Sequence, residues 1–142
     1  MVIDHDDADD LVQDIFIKVW KNIGSFRGDA NLYTWIYRIA TNECLTFLSK
    51  KKRKAMLSFS SLETELADKI DDDPHVSGDE VQAKLQKALL KLPAKQRMVF
   101  NMKYFDELKF AEISEITDTS VGALKASYHH AVKKIEEILN AD

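Results

Sequence analysis

Apolar residues recur every three to four positions along most of the chain, which is the spacing of one face of an α-helix. The first such pattern spans residues 7 to 23, and aspartates precede it, where carboxylates meet unpaired backbone donors and the positive end of the helix dipole. A second pattern begins near Asn31 and ends in the basic run of residues 50 to 54. Both segments are predicted to be amphipathic helices, separated by a loop over residues 24 to 29 whose two glycines break the helix.

The C-terminal half shows the same period. Residues 81 to 92 form one helical pattern, and Pro93 starts the next helix, where its missing N–H costs little. The last elements are a short helix, a turn and a longer helix, over residues 110 to 116, 117 to 119 and 121 to 139. Ser120 is the expected N-cap of the longer helix. This arrangement predicts a helix-turn-helix, and because no strand pattern competes, the expected fold class is all-α.

Acidic residues are concentrated between the two helical halves. Residues 58 to 80 carry 1 basic and 8 acidic side chains, whereas residues 1 to 57 carry 9 and 8 and residues 81 to 142 carry 10 and 8. The formal net charge of the chain is −4, but the charge of the middle segment alone is −7. We expect two small helical domains, residues 1–57 and 81–142, joined by an acidic flexible linker over 58–80.

Composition excludes several classes of protein. No run approaches the roughly 20 apolar residues of a membrane-spanning helix, and acidic residues follow Met1, so we expect no membrane insertion and a cytoplasmic protein. Cys44 is the single cysteine, which leaves no intrachain disulfide and no metal-ligand spacing. The four histidines and the cysteine form no recognisable catalytic site, so we expect no enzyme activity, no cofactor and no bound metal.

Three motifs in the N-terminal half carry a family resemblance. In order, they are residues 7–16 (DADDLVQDIF), 25–29 (SFRGD) and 33–42 (YTWIYRIATN). Their order and spacing resemble region 2 of the extracytoplasmic-function sigma factors. Residues 89–139 are similar to region 4 of the same family, through Leu92-Pro93, Gln96-Arg97, Ala111-Glu112-Ile113 and Ser120-Val121-Gly122. The resemblance implies a sigma factor that binds core RNA polymerase, promoter DNA and an anti-sigma factor and directs transcription initiation.

The resemblance also implies which residues would bind polymerase and the minus-10 element. Asp10, Gln13 and Asp14 match the helix that docks on a coiled coil of the largest polymerase subunit. The minus-10 candidates are Phe26, Arg27, Gly28, Asp29, Trp35, Arg38, Asn42, Lys51 and Arg53. Phe26 would stack on a base flipped out of the melted strand, Asn42 would hydrogen-bond its edge, and the cations would meet phosphates. On spacing alone, Trp35 and Tyr37 could be core aromatics, and for Trp35 a core position or a mixed role beside the melted strand is favoured. The polar residues could lie on solvated helix faces.

The last helix carries the residues that the family uses on the minus-35 element. The positions that match are Lys125, Ala126, Ser127, His129, His130, Lys133 and Lys134. Family members often have arginines there, so this chain is expected to prefer different bases and to make fewer charge-assisted contacts. Lys133 and Lys134 could instead complement the helix dipole.

Two other functions remain open at this level. The chain could be a helix-turn-helix transcription regulator whose residues 1–57 only drive oligomerisation. It could also be a truncated sigma-like decoy that binds polymerase or an anti-sigma factor without supporting initiation. Family members normally have a first helix of region 2 before the position of Asp7, and this chain is expected to lack it. The apolar face of the helix over residues 7 to 23 would then need cover from elsewhere, such as another chain.

Overall fold

The structure, a computed structural model, describes residues 2, 4–26, 28, 31–57, 62–74 and 79–141. Within these ranges it contains seven α-helices and no strand, which confirms the all-α fold class. The helices are α1 His5–Asn22, α2 Leu32–Leu57, α3 Leu62–Asp72, α4 Glu80–Leu90, α5 Ala94–Phe100, α6 Phe110–Thr117 and α7 Val121–Asn140. A 3₁₀ turn, Ile23–Ser25, extends α1, and a π-helical turn, Asn101–Phe105, follows α5.

Side-chain caps define where three of the helices begin. Asp4 and Asp79 each accept first-turn backbone N–H groups through a carboxylate oxygen, at distances between 2.9 and 3.1 Å. Ser120 Oγ accepts the N–H of Ala123 at 3.2 Å, as its predicted N-cap role requires. Each bond satisfies a donor that the first turn of a helix leaves unpaired, an interaction worth about 1 kcal/mol.

The C-terminal helices enclose two neighbouring apolar clusters. The first consists of Met98, Val99, Met102, Leu108, Ile113, Ile116 and Leu124. The second consists of Ala88, Leu89, Leu92, Phe100, Ala131 and Ile135. α7 contributes to both, because Leu124, Ala131 and Ile135 lie along one of its faces. The opposite face of α7 is consequently turned away from the core.

The N-terminal helices α1 and α2 pack against each other. Leu11 is buried, and Lys18 of α1 forms an ion pair with Glu43 of α2. Another side of α1 is apolar and exposed, with Trp20 82% and Phe16 69% accessible to solvent. Val12, Ile17 and Ile23 share this exposure. The described residues therefore leave an apolar face of α1 uncovered, a pattern typical of interaction surfaces.

α3 lies inside the segment that was expected to be an acidic flexible linker. Its spacing places Leu66 and Ile70 on one face, where both are buried, and the helix packs against α4. Lys87 of α4 pairs with Asp71 at 2.6 Å, and Lys69 pairs with the α1 cap residue Asp4. The structure thus differs from the expectation over Leu62–Asp72, because packing of Leu66 and Ile70 against α4 stabilises a helix too short to be stable by itself. The domain bounds at residues 57 and 81 stay a prediction.

α2 also packs against α6, which brings the two halves of the chain into direct contact. Tyr37 and Leu45 of α2 pack against the first C-terminal cluster. Beside this contact lies a groove of about 550 Å³, lined by residues of α1 and α2 on one side and of α5 and the π-helical turn on the other. Cys44 lies in its wall.

Candidate nucleic-acid and polymerase interface

The helix-turn-helix is built by α6, a tight turn and α7. Asp118 ends α6 in the left-handed conformation, with φ of 53° and ψ of 32°. Aspartate tolerates this region better than most residues because its short side chain can bond locally. Ile113 and Leu124, which are 0% and 2% exposed, pack between the two helices. These contacts hold α7 at a set angle to α6, as a DNA-reading helix requires.

The predicted minus-35 residues lie on the face of α7 that is turned away from the core. Those that are exposed are Lys125, Ala126, His129, His130, Lys133 and Lys134, while Ser127 is half-buried. Their spacing of four residues places Lys125, His129 and Lys133 one above the other along the helix. The imidazole centroids of His129 and His130 are 6.1 Å apart. The whole set of minus-35 candidates contains three lysines, two histidines and two small side chains. Such a composition is able to approach phosphates and base edges closely.

The predicted minus-10 residues are distributed over the loop and one side of α2. The ring of Phe26 packs against Trp35, with 5.3 Å between centroids and a tilt of 47°. Trp35 is half-buried and Asn42, seven positions later on the same helix face, is exposed. Gly28 is exposed and has φ of +73°, a conformation that favours glycine. Arg27 and Asp29 lie outside the described residues.

Arg38, another predicted minus-10 residue, contacts the helix-turn-helix. Its guanidinium donates a hydrogen bond to the backbone carbonyl of Glu115 in α6 and lies 3.6 Å from a carboxylate oxygen of Asp118. Next to it, the phenol of Tyr37 donates to the carboxylate of Asp106. Burial, together with this hydrogen bond, raises the pKa of Tyr37. Neither Tyr37, which the spacing allowed as a core aromatic, nor Asp106 was among the predicted site residues, because no local pattern links residues so far apart.

The basic end of α2 forms a cationic surface. Arg53 is exposed, and with Phe47, Lys50 and Lys54 it lines a shallow groove. Lys51, which was also predicted to meet the minus-10 strand, forms an ion pair with Asp7 of α1. Part of its charge is therefore already compensated within the protein. Arg53 retains more capacity for phosphate contacts than Lys51 does.

The three predicted polymerase contacts share one exposed side of α1. Asp10, Gln13 and Asp14 are spaced three and four residues apart and are all exposed. They flank the uncovered apolar face described above. The combination offers a partner both acidic groups and apolar area. Among the residues that the structure describes, no group of three or more His, Cys, Asp or Glu side chains could hold a metal ion.

Comparison with known proteins identifies both halves of the chain. The family described as Sigma-70 region 2 matches residues 1–54, and Sigma-70, region 4 matches residues 82–135. The ECF RNA polymerase sigma factor SigW of Bacillus subtilis is 35% identical over 141 residues, which cover 94% of this chain and 75% of that protein. This chain belongs to the extracytoplasmic-function family of RNA polymerase sigma factors.

Other relatives and solved structures agree with this assignment. The ECF RNA polymerase sigma-E factor of Escherichia coli K12 is 30% identical over 138 residues, covering 92% of this chain and 72% of that protein. The structure of the sigma factor RpoE in complex with the anti-sigma factor NepR from Bartonella quintana has the same fold. Its TM-score is 0.70 at 24% identity, over 99% of this chain and 86% of that one. CnrH, solved in complex with the cytosolic domain of CnrY, gives a TM-score of 0.68 at 26% identity, over 99% and 75% of the two chains.

As a sigma factor, the protein acts in transcription initiation and is not an enzyme. Region 2 corresponds to α1 and α2, and region 4 corresponds to α4 through α7. The match of residues 1–54 to region 2 disfavours the alternative of a helix-turn-helix regulator, because such a regulator would need only an unrelated oligomerisation module there. Nowhere in the described ranges is a helix both long enough and apolar enough to cross a membrane.

Proposed function

We propose that region 4 of this sigma factor reads the minus-35 element with the outward face of α7. The supporting observation is that all six exposed candidates lie on the face opposite Leu124, Ala131 and Ile135. A helix placed in the major groove presents one face to the bases while the other stays packed on its own domain. Lys125, Ser127 and His129 are assigned to the bases and nearby phosphates, and Lys133 and Lys134 to the backbone. Ala126 and His130 complete the surface that faces the groove.

Region 2 is proposed to capture the melted minus-10 strand. Its loop holds Phe26 against Trp35, and the pair offers an aromatic surface on which an unstacked base can lie. Asn42 supplies an amide for the edge of that base, on the same helix face as Trp35. Gly28, Arg27 and Asp29 are assigned to the same strand by the family resemblance, although Arg27 and Asp29 lie outside the described residues. Arg53, which is exposed, would contact phosphates directly, whereas Arg38 and Lys51 would do so once their present protein contacts are released.

The exposed side of α1 is proposed to dock on core RNA polymerase through Asp10, Gln13 and Asp14. Support comes from the exposure of all three and from the apolar area beside them. Because RpoE is known in complex with an anti-sigma factor, we also propose that an anti-sigma factor controls this protein. A cytoplasmic location follows from the proposed partners, since promoter DNA and polymerase are found there.

In vitro transcription with core polymerase and a library of promoters tests this proposal. Promoter-dependent transcripts are expected from the unmodified chain. Asn42→Ala should relax selection at the minus-10 positions, and Lys125→Ala should weaken selection at the minus-35 positions, each without loss of core binding. Exposed residues of the same type elsewhere, Asn140→Ala and Lys84→Ala, serve as matched controls and should leave selection unchanged.

The results separate the functions that the sequence left open. DNA binding without core polymerase, together with no promoter-dependent transcript, would favour a helix-turn-helix regulator. Core binding without initiation would favour a decoy. Unchanged selection in both the Asn42 and Lys125 variants would refute the residue assignments while leaving the sigma function intact.

A further inference from the structure

The outward face of α7 carries two histidines among its lysines. His129 lies four positions after Lys125 and four before Lys133, and His130 lies three and four positions before Lys133 and Lys134. Side chains at these spacings are neighbours on the surface of a helix. Both histidines are exposed, and their imidazole centroids are 6.1 Å apart at a tilt of 59°. The two imidazoles and the three lysines therefore form one continuous surface.

The charge of this surface depends on pH in a way that a surface of lysines alone would not. Histidine is the side chain that ordinarily gains or loses its charge between pH 5 and 8, whereas lysine stays charged throughout that range. A neutral imidazole has one donor and one acceptor, and an imidazolium has two donors. The three lysines alone give the surface a charge of +3, and protonation of both histidines raises it to +5.

Within the described ranges, the protein itself supplies no anionic partner for either imidazole. No hydrogen bond or ion pair joins another side chain to His129 or His130. The carboxylates of α7, Glu136 and Glu137, follow the histidines by six to eight positions, which is at least about 9 Å along the helix axis. The helices α4, α5 and α6 pack on the other side of α7. Their charged side chains are Glu80, Lys84 and Lys87 on α4, Lys95 and Arg97 on α5, and Glu112 and Glu115 on α6.

DNA would supply the missing partner. The acceptors that it offers to a helix in the major groove are phosphate oxygens and, on guanine, the N7 and O6 atoms. An anion beside an imidazole favours the charged form, so bound DNA favours protonation. By linkage, protonation favours bound DNA to the same extent. Each imidazole takes up at most one proton, so binding strengthens by at most about tenfold per pH unit for each histidine.

We propose that His129 and His130 couple recognition of the minus-35 element to the uptake of protons. Region 4 then binds its element more tightly near pH 6 than near pH 8, while the three lysines make a contribution that pH does not change. The inference rests on the proposed function, because the coupling requires α7 to lie on DNA. Its consequence is that the choice among promoters depends on pH. Promoters that rely on a good minus-35 element gain most from acidification.

The test uses the holoenzyme, formed from core polymerase and the full chain, with promoters selected from the library. For each promoter, the dissociation constant is compared with that of the same promoter carrying a scrambled minus-35 element. This ratio cancels effects of pH on the polymerase and on region 2. Between about pH 8 and about pH 6, the ratio should grow about two- to tenfold for each histidine, the change expected from one gained hydrogen bond.

Substitutions of the histidines separate their charge from their shape. His129→Gln and His130→Gln keep a polar side chain but do not titrate, so each should remove its share of the pH dependence and the double variant should abolish it. His129→Lys keeps a charge at both pH values and should restore tight binding near pH 8. His5→Gln, which replaces a histidine at the start of α1, is the matched control and should leave the pH dependence unchanged.

A second measurement counts the protons directly. Calorimetry of promoter binding by the holoenzyme, in two buffers of different ionisation enthalpy, gives the number of protons taken up per complex. Near pH 7, the unmodified chain should take up about one to two protons more than the double variant. The slope of log K against log salt concentration should also be steeper near pH 6 than near pH 8, by about 0.9 for each imidazole that meets a phosphate.

Equal pH dependence in the unmodified chain and the double variant would overturn the coupling. Loss of the pH dependence in His5→Gln would overturn it too, because the effect would then not arise on α7. Failure of the proposed function gives a different result. If the holoenzyme selects no promoter at either pH, the promoter assignment is wrong and the coupling falls with it. If it selects promoters and the minus-35 ratio is the same at both pH values, the coupling is wrong and the function stands.

Discussion

The phenol of Tyr37 in α2 donates a hydrogen bond to the carboxylate of Asp106, 69 positions further along the chain. This bond joins region 2 to the turn that precedes the helix-turn-helix. Burial of the phenol and its bond to a carboxylate both favour the protonated form, so the pKa of Tyr37 is raised above its ordinary value of 10.0. The hydroxyl proton is therefore a structural part of the contact between the two halves.

Alkaline pH should weaken this contact. Because the pKa of Tyr37 is raised on folding, its contribution to stability is complete below about pH 10 and is lost as pH rises through the folded pKa. An absorbance titration should reveal a late-titrating phenol among the four tyrosines. Tyr37→Phe should remove that late phase, whereas Tyr104→Phe, at an exposed position, should retain it. A late phase that survives in Tyr37→Phe would contradict the assignment.

A comparison of Gly28 with Gly24 tests whether the loop requires the left-handed backbone conformation. An added Cβ would meet no atom within 4 Å at either position, but only Gly28 has positive φ, at +73°. Gly28→Ala should therefore lower the free energy of unfolding of region 2 by about 1–2 kcal/mol, through backbone strain alone. Gly24→Ala should cost less. Chemical denaturation measures both, and equal effects would show that the left-handed conformation is not required.

Lys133 is expected to contact a phosphate rather than a base. Its replacement by alanine should weaken binding to all promoter sequences alike and reduce the slope of log K against log salt concentration by about 0.9. Binding of the holoenzyme to promoter DNA over a range of salt concentrations measures this slope. Lys84→Ala, an exposed lysine of α4, is the control and should not change it. A loss confined to one promoter sequence would instead indicate a base contact.

α3 is expected to be an ordered helix, although it lies in the acidic stretch between the two regions. Ile70 is 3% exposed, so Ile70→Ala should destabilise the packing of α3 on α4 by about 2–5 kcal/mol. Glu65→Ala, on the exposed side of the same helix, should cost little. Hydrogen exchange should show protected amides over residues 66–72 in the unmodified chain. Exchange at the rate of an unfolded peptide would support a flexible linker instead.

Acidification should weaken the link between α3 and the start of α1. The hydrogen bond from Lys69 lowers the pKa of Asp4, and bonds from the backbone of Asp6 and Asp7 lower it further. A carboxyl whose pKa is lowered on folding stabilises the protein above its unfolded pKa, and this contribution is lost as pH falls through the folded value. Asp4→Asn should therefore flatten the dependence of stability on pH in the acid range. Asp9→Asn, at an exposed position on α1, should leave that dependence in place.

Six of the seven described helices could be predicted from the sequence, because their signals are local. Apolar spacing predicted α1, α2 and α4 through α7, and Ser120 and Pro93 predicted where two helices begin. The minus-35 candidates of α7 came from the family resemblance, and the structure finds six of them exposed. Resemblance to sigma factor regions 2 and 4 supplied the family, and the comparisons confirmed it.

How the two halves meet could not be predicted from local sequence signals. Nothing in the local pattern around Arg38 indicates that its guanidinium bonds to α6, or that Tyr37 bonds to Asp106, because such pairs depend on how separate helices pack. Helix α3 was not predicted for a related reason. Its two buried residues, Leu66 and Ile70, stabilise a helix only when α4 is present to cover them. Local periodicity specifies which face of a helix is buried, whereas packing decides which partner buries it.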